Sequence, residues 1–565
     1  MHSNTSRRTF VKGLAAGGLL GGLGLWRTPV WAVTSPGEPQ VLAGTDFDLF
    51  IGETPVNITG NPRTAMTING GIPGPLLRWR EGDTVTLRVK NKLNADTSIH
   101  WHGILLPANM DGVPGLSFHG IEPGGMYVYQ FKVRQNGTYW YHSHSGLQEQ
   151  SGVYGPLVID AKEPEPFQYD RDYVVMLTDW TDEDAVDLMK TLKKQSDYYN
   201  YNKPTVGDFI HDVSEKGWGS TVADRKMWAE MKMNPTDLAD VSGATYTYLM
   251  NGQAPNSNWT GVFRPGEKLR LRFINGSAMT YFDVRIPGLK MTVVAADGLH
   301  VKPVSVDEFR IAVAETFDVI VEPTEVAYTL FAQSMDRTGF ARGTLAAKAG
   351  LSAPVPPLDP RPLVTMDDMG MGGMDHGSMA GMDHSAMAMP GMQSHPATEN
   401  NNPLVDMQAM TTAPKLDDPG LGLRNNGRRV LTYSDLRSTF EDPDGREPSR
   451  TIELHLTGHM EKFAWSFNGV KFSDAEPVRL KYGERVRVVL VNDTMMTHPI
   501  HLHGMWSDLE DENGEFMVRK HTIDMPPGSR RSYRVTADAL GRWAYHCHLL
   551  YHMEMGMFRE VRVEE

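Results

Sequence analysis

Alternating apolar and polar positions recur at three places along the chain, each time in the same frame. A Gly-Asp or Gly-Glu pair opens the frame and an asparagine closes it: Gly82-Asp83 to Asn91, Gly266-Glu267 to Asn275, and Gly483-Glu484 to Asn492. Between them Val85, Leu87 and Val89, then Leu269, Leu271 and Phe273, then Val486, Val488 and Leu490 keep a period of two. That period predicts a half-buried strand in each copy. Upstream of each copy, Asn69-Gly70, Asn251-Gly252 and Asn468-Gly469 predict tight turns. Most of the remaining chain is short apolar runs broken by Gly, Pro and Asp, the pattern of a β-sandwich. The expectation is therefore an all-β protein of three Greek-key β-sandwich domains, at 33–162, 163–350 and 429–565, with helical turns only around 181–194 and 224–233.

The repeat also sorts the histidines. Counting six, nine and eleven residues on from the closing asparagine gives Thr97, His100 and His102 in the first copy and His498, His501 and His503 in the third. The middle copy has Tyr281, Val284 and Ile286 there, so it keeps the frame without ligands. A second correspondence aligns Tyr141-His142-Ser143-His144 with Tyr545-His546-Cys547-His548. Continued in register, it matches Gln148 with His552 and Val153 with Met557.

Residues two apart on a strand share a face. His100/His102, His142/His144, His501/His503 and His546/His548 can thus converge from four strands, and eight neutral imidazoles suit several copper ions. Cys547, the only cysteine of the chain, points away from that face, and His498 has the opposite parity to His501 and His503. Cys547, His498 and His552 with a weak axial thioether from Met557 form the ligand set of a blue-copper electron-transfer site. Met555 is the rival for the axial place. A single cysteine also excludes an internal disulfide.

These motifs, in this order, resemble the multicopper oxidases over essentially the whole body of the chain. The resemblance implies three cupredoxin-like domains and four copper ions. It implies a type 1 copper at His498, Cys547, His552 and Met557, and a type 2 copper at His100 and His501. It implies a type 3 pair held by His102, His142, His144, His503, His546 and His548. The implied reaction passes single electrons from Cys547 to O2, which leaves as water. Asp111, nine residues after His102, resembles the carboxylate the family keeps near the cluster and is expected to relay protons. Some relatives place an acid directly after the type 1 histidine; here that position is Met553, and Glu554 follows it.

Two segments narrow the expectation. Ser6-Arg7-Arg8-Thr9-Phe10-Val11-Lys12 precedes an apolar run, and Val30-Trp31-Ala32 offers small residues for cleavage. Residues 1–32 therefore read as a twin-arginine export signal, with the periplasm as destination. Residues 351–428 read as a Met/His-rich flexible linker. Within it, between Thr365 and Met392, nine methionines fall beside His376 and His384, and Met374-Asp375-His376 is echoed by Met382-Asp383-His384. Gly, Ser and Pro there argue against a packed core, and thioethers select Cu(I). Met227, Met231 and Met233 are read as ordinary packing.

Together these features resemble the bacterial copper-resistance branch of the family, the copper-resistance proteins of A type. They imply oxidation of Cu(I) to Cu(II), with further Cu(I) on the methionine segment and other periplasmic copper-resistance proteins as partners. A laccase-like phenol oxidase and a copper-sequestering protein are the alternatives. Composition agrees but decides less. The 565 residues carry a net charge of −14, and the first 32 hold four cations and no acid, so the body is more acidic still. An acidic body disfavours nucleic acid and anionic membranes as partners. No later apolar run is long enough to span a bilayer, and a monomer is the default.

Overall fold

In the computed structural model, which describes residues 40–372 and 392–565, each of the three repeated segments is a strand at the centre of a sandwich. Thr84–Asn91 lies parallel to Asp46–Val56 and antiparallel to Met126–Lys132. Leu269–Asn275 lies likewise between Arg171–Thr181 and Thr316–Val321, and Arg485–Asn492 between Arg450–His459 and Arg530–Thr536. Six sheets result, paired as five strands on four, six on five, and six on five. The fold is all-β, as the alternation predicts.

The asparagines explain why the frame repeats. The side-chain NH2 groups of Asn91, Asn275 and Asn492 each donate to two backbone carbonyls: Ala95 and Ile121, Thr280 and Ile311, Met496 and Met525. Each side-chain oxygen accepts the backbone N–H two residues on. One residue thereby ties the end of the central strand to the loop that leads into the next. In the first and third copies that next strand carries the histidines, so the asparagine sets where they begin. The turn asparagines Asn69, Asn251 and Asn468 take φ of 54°, 50° and 51°, the left-handed region asparagine tolerates. Each also accepts a backbone N–H from the strand paired with the one it ends.

The half-buried expectation needs correction in the middle and third copies: both faces of Leu269–Asn275 are buried, and along Arg485–Asn492 only Arg487 is partly exposed. Arg270 and Arg272 point to the second face and are fully covered, because Asp318, Glu165 and Asp172 pair with them. Buried charge is tolerated only when paired in this way, and a two-letter hydropathy pattern does not register pairing.

The expected helices form at Ala185–Lys194, capped by Asp184, and at Trp218–Met231. A third, Val206–Lys216, was not expected; Thr205 and Asp208 cap it reciprocally. The linker expectation is corrected at its two flanks. Residues 351–372 and 392–428 have little regular structure yet pack on the sandwiches, burying Val364, Met369, Met407, Leu416 and Leu423. Thr365 and Asp368 bond each other's backbone and side chain, which winds Met366, Met369 and Met371 into a turn against the core. The Met-Asp-His echoes and the export signal lie outside the described residues. No helix among the described residues is long and apolar enough to cross a membrane.

Candidate metal centre

The histidine strands meet at the seam between the first and third sandwiches. His100–His102 pairs with Gly137–His142, placing His100 opposite His142. His498–Leu502 pairs with Gly541–Cys547, placing His501 opposite His546. The rings interleave across the seam: His100 stacks on His503 and His102 on His501, each at 3.9 Å between centroids. His142 approaches His548 at 4.9 Å and His144 approaches His546 at 5.0 Å. All eight predicted imidazoles are thus brought together, every one buried except His144, which is half-buried.

One nitrogen of most rings is anchored and the other faces inward. His100 Nδ1 donates to the Asp111 carbonyl, His501 Nδ1 to the His521 carbonyl, and His546 Nδ1 to the Cys547 carbonyl. His503 Nδ1 meets the Asp111 carboxylate at 2.8 Å, and His142 Nδ1 meets Glu149 at 2.7 Å. His102 is reversed: its Nε2 bonds His521 Nδ1 at 3.2 Å and its Nδ1 is free. The inward nitrogens of His100, His102, His142, His144, His501 and His548 are buried without a hydrogen-bond partner. Orphaned lone pairs behind anchored N–H groups are what metal-ligating histidines present, so the cluster fits copper.

Burial and the mutual repulsion of the rings hold His102, His142, His144, His501, His503 and His548 well below the usual imidazole range. Burial also lowers His546 to about 3 and His521 to about 4. The rings so lowered are neutral ligands near pH 7 without help from a metal.

The cysteine lies on the far side of the same strand. Its Sγ is 3.5 Å from His498 Nδ1 and 4.0 Å from His552 Nδ1, and those two nitrogens are 3.2 Å apart. All three residues are fully buried. Thr494 bonds the outer nitrogen of His498 at 2.7 Å. Asp240, from the middle domain, bonds that of His552 at 2.6 Å, and Trp465 stacks on the same ring at 3.8 Å. One thiol and two convergent imidazole nitrogens fit a copper electron-transfer site. Met557 is fully buried, and its backbone bonds those of Cys547 and His552, while Met555 is only half-buried.

The first sandwich holds the same cage without metal chemistry. Thr97 and Ser143 both donate to the side-chain oxygen of Gln148, at 2.6 and 2.9 Å. The bonds from Ser143 N to Val153 O and from Val153 N to Gln148 O repeat those joining Cys547, Met557 and His552.

Several neighbours had no signal in the sequence. His521 belongs to no spaced pair, yet it touches His102 and its backbone orients His501. Glu149 follows the second His-x-His by five residues and has no motif of its own. Its carboxyl is pushed well up by burial. Asp240 and Asp297 come from the middle domain, which the absence of ligands had made look idle. Asp297 accepts the backbone N–H groups of His521 and Thr522. Glu554, by contrast, is exposed.

Fold and site together define a copper-dependent oxidase, and sequence profiles described as multicopper oxidase match residues 51–164, 171–349 and 445–565. The chain belongs to the multicopper oxidase family, in its copper-resistance branch. It is 80% identical to a copper resistance protein A homolog of Pseudomonas syringae pv. tomato, covering 100% of both chains. It is 74% identical to copper resistance protein A of Escherichia coli over 99% of each. The solved structure of Fet3p, a multicopper oxidase that functions in iron import, shares the fold with a TM-score of 0.65 at 20% identity. It covers 93% of this chain and 91% of that one.

Proposed function

We propose that this protein oxidises Cu(I) to Cu(II) in the periplasm, reached by twin-arginine export with loss of residues 1–32, and that O2 is the electron sink. Four Cu(I) ions give one electron each, and O2 takes four electrons and four protons to leave as two waters. The observation that carries the reading is a single strand: Cys547 of one site is covalently flanked by His546 and His548 of the other. Bound copper would supply a one-electron acceptor at His498, Cys547, His552 and Met557. At His100 with His501, and at His102, His142, His144, His503, His546 and His548, it would supply O2 reduction.

The chain's own groups prepare both ends. Asp240 places a carboxylate on the outer nitrogen of His552, where an electron enters. Once ionised, a carboxylate there favours a cation over a phenol, and the acidic body favours the same choice. Burial raises Asp240 to about 8, so near neutral pH it can shed a proton as a cation arrives. Asp111 Oδ2 and the Glu149 carboxyl stand against His503 and His142, where each can pass a proton toward the cluster. Asp240→Asn keeps the shape but can no longer ionise; it should slow Cu(I) oxidation by about 10-fold or more, and more than it slows phenol oxidation. Steady-state rates with both donors check this.

Oxygen uptake by the copper-loaded chain, with Cu(I) or a simple phenol as sole donor, tests the proposal. Fast uptake on Cu(I) and slow uptake on phenol is expected, and deletion of 373–391, which spares the packed turn at 365–371, should reduce only the first. The reverse preference would make this a laccase-like enzyme. Little uptake on either, with copper held beyond four ions, would make it a sequestering protein.

A further inference from the structure

A second group of histidines and carboxylates is buried where the chain leaving the methionine-rich region crosses the first strand of the third sandwich. His455 lies in Arg450–His459, and His395 follows Met392 by three residues. The Asp493 and Glu399 carboxylates between them are fully buried; the His395 side chain, 14% exposed, is the opening to solvent. Asp493 Oδ2 is 2.6 Å from His455 Nδ1 and 3.2 Å from His395 Nδ1. Glu399 Oε2 is 3.4 Å from His395 Nδ1, and its Oε1 is 3.7 Å from His455 Nδ1. Ligands around one tetrahedral ion with bonds of about 2.0–2.1 Å stand roughly 3.3–3.4 Å apart, so three of these four gaps are near that size.

The outer nitrogens are anchored as in a metal site. His395 Nε2 bonds the Ala409 carbonyl at 3.0 Å, and His455 Nε2 bonds the Glu453 carboxylate at 3.2 Å. Both bonds turn Nδ1 inward, and a carboxylate behind a histidine is a recurrent support for a metal ligand. Glu399 Oε1 is buried with no hydrogen-bond partner.

We propose that His395, His455, Asp493 and Glu399 form a site for one divalent cation of borderline character, Cu(II) ahead of Zn(II). Two imidazole nitrogens and two carboxylates match such an ion, whereas Cu(I) prefers thioether sulfur. The charge balance is already built. Without metal, the hydrogen bonds to Asp493 and Glu399 overcome burial and push His395 up to about 10, and His455 is raised as well. A divalent ion entering would displace two protons and leave the buried charge unchanged. The site does not depend on the oxidase reading, since none of its ligands belongs to the cluster or to the cysteine site. It adjoins the latter, because Asp493 precedes Thr494, which bonds His498.

The test adds Cu(II) to the full-length, copper-loaded protein and to the double variant H395Q/E399Q, then counts retained copper after gel filtration. The unaltered chain should keep one more equivalent, with a paramagnetic Cu(II) signal split by two nitrogens and absent from the variant. Equal blue absorption in both shows that the variant is folded. Equal copper retention would reduce the cluster to an ion-pair network. Crystals of the unaltered protein soaked in zinc chloride give a reading that needs no variant. An anomalous peak at the zinc edge between the two Nδ1 atoms supports the site, and no peak there overturns it.

Discussion

Cys547→Ser is expected to fold, to keep the imidazole cluster, and to lose both its blue colour and its oxidase turnover, to the background of the measurement. The hydroxyl does not ionise near neutral pH and is a hard, weak ligand where a thiolate is needed. Folding should survive because the exchange is small and the new hydroxyl has a partner in reach, His498 Nδ1, which stands 3.5 Å from the sulfur. The first sandwich supplies the precedent, since Ser143 occupies the matching position and bonds Gln148 there. Burial raises the Cys547 thiol well above its ordinary value, so the thiolate forms by exchange of its proton for metal. Visible absorption, oxygen uptake and circular dichroism on one preparation separate the outcomes. Turnover that persists in a folded Cys547→Ser chain would remove the proposed electron route.

The copper-free protein is expected to lose stability steeply as pH falls from about 7 to 5. His498 and His552 join His102, His142, His144, His501, His503 and His548 in being held well below the usual imidazole range, chiefly by burial. Unfolded, the same rings take protons below about pH 6.5. A depressed folded value therefore gives stability that is present above the unfolded one and is lost as pH falls. At pH 5 each such ring costs about 2 kcal/mol, and a handful would equal the roughly 5–15 kcal/mol by which a domain is stable. Carboxyls raised by burial, among them Glu149, Asp237, Asp240 and Asp406, work in the opposite sense, so the net fall is smaller than the rings alone would give. Folded rings that hold no protons also have none to release, so filling the cysteine site between pH 7 and 5 should expel the Cys547 proton and none from His498 or His552. Thermal melting of the copper-free chain across this range, with proton release on loading, checks both points. A flat melting temperature would contradict the burial argument.

The sandwiches were legible because their signal is local. A period of two, a Gly-acid opening and a closing asparagine each act within a few residues, and the structure shows the asparagine performing the same bonds three times. Nine of the imidazoles and Cys547 were legible because strand parity decides which side chains share a face, and His552, on the short helix Leu550–Glu554, because the repeat register carries on to it. What escaped was whatever acts at long range through a single residue. Asp240 reaches His552 from 312 positions away, and His521 meets His102 across 419. Neither has a spaced partner to mark it. The packed flanks of the linker escaped because composition counts Gly and Met but not the Thr365–Asp368 bond that winds them into a turn.

The cage of Thr97, Ser143, Gln148 and Val153 carries a different lesson. The backbone that would seat an electron port exists twice in this chain, and only the third sandwich furnishes it. Four side-chain exchanges, not a new fold, separate the two states, which makes the first sandwich a plugged socket of the same shape. A chain carrying Thr97→His, Ser143→Cys, Gln148→His and Val153→Met together would have two doors to one furnace, one on each side of the seam. The present sequence keeps a single door, and hydrogen bonds close the other.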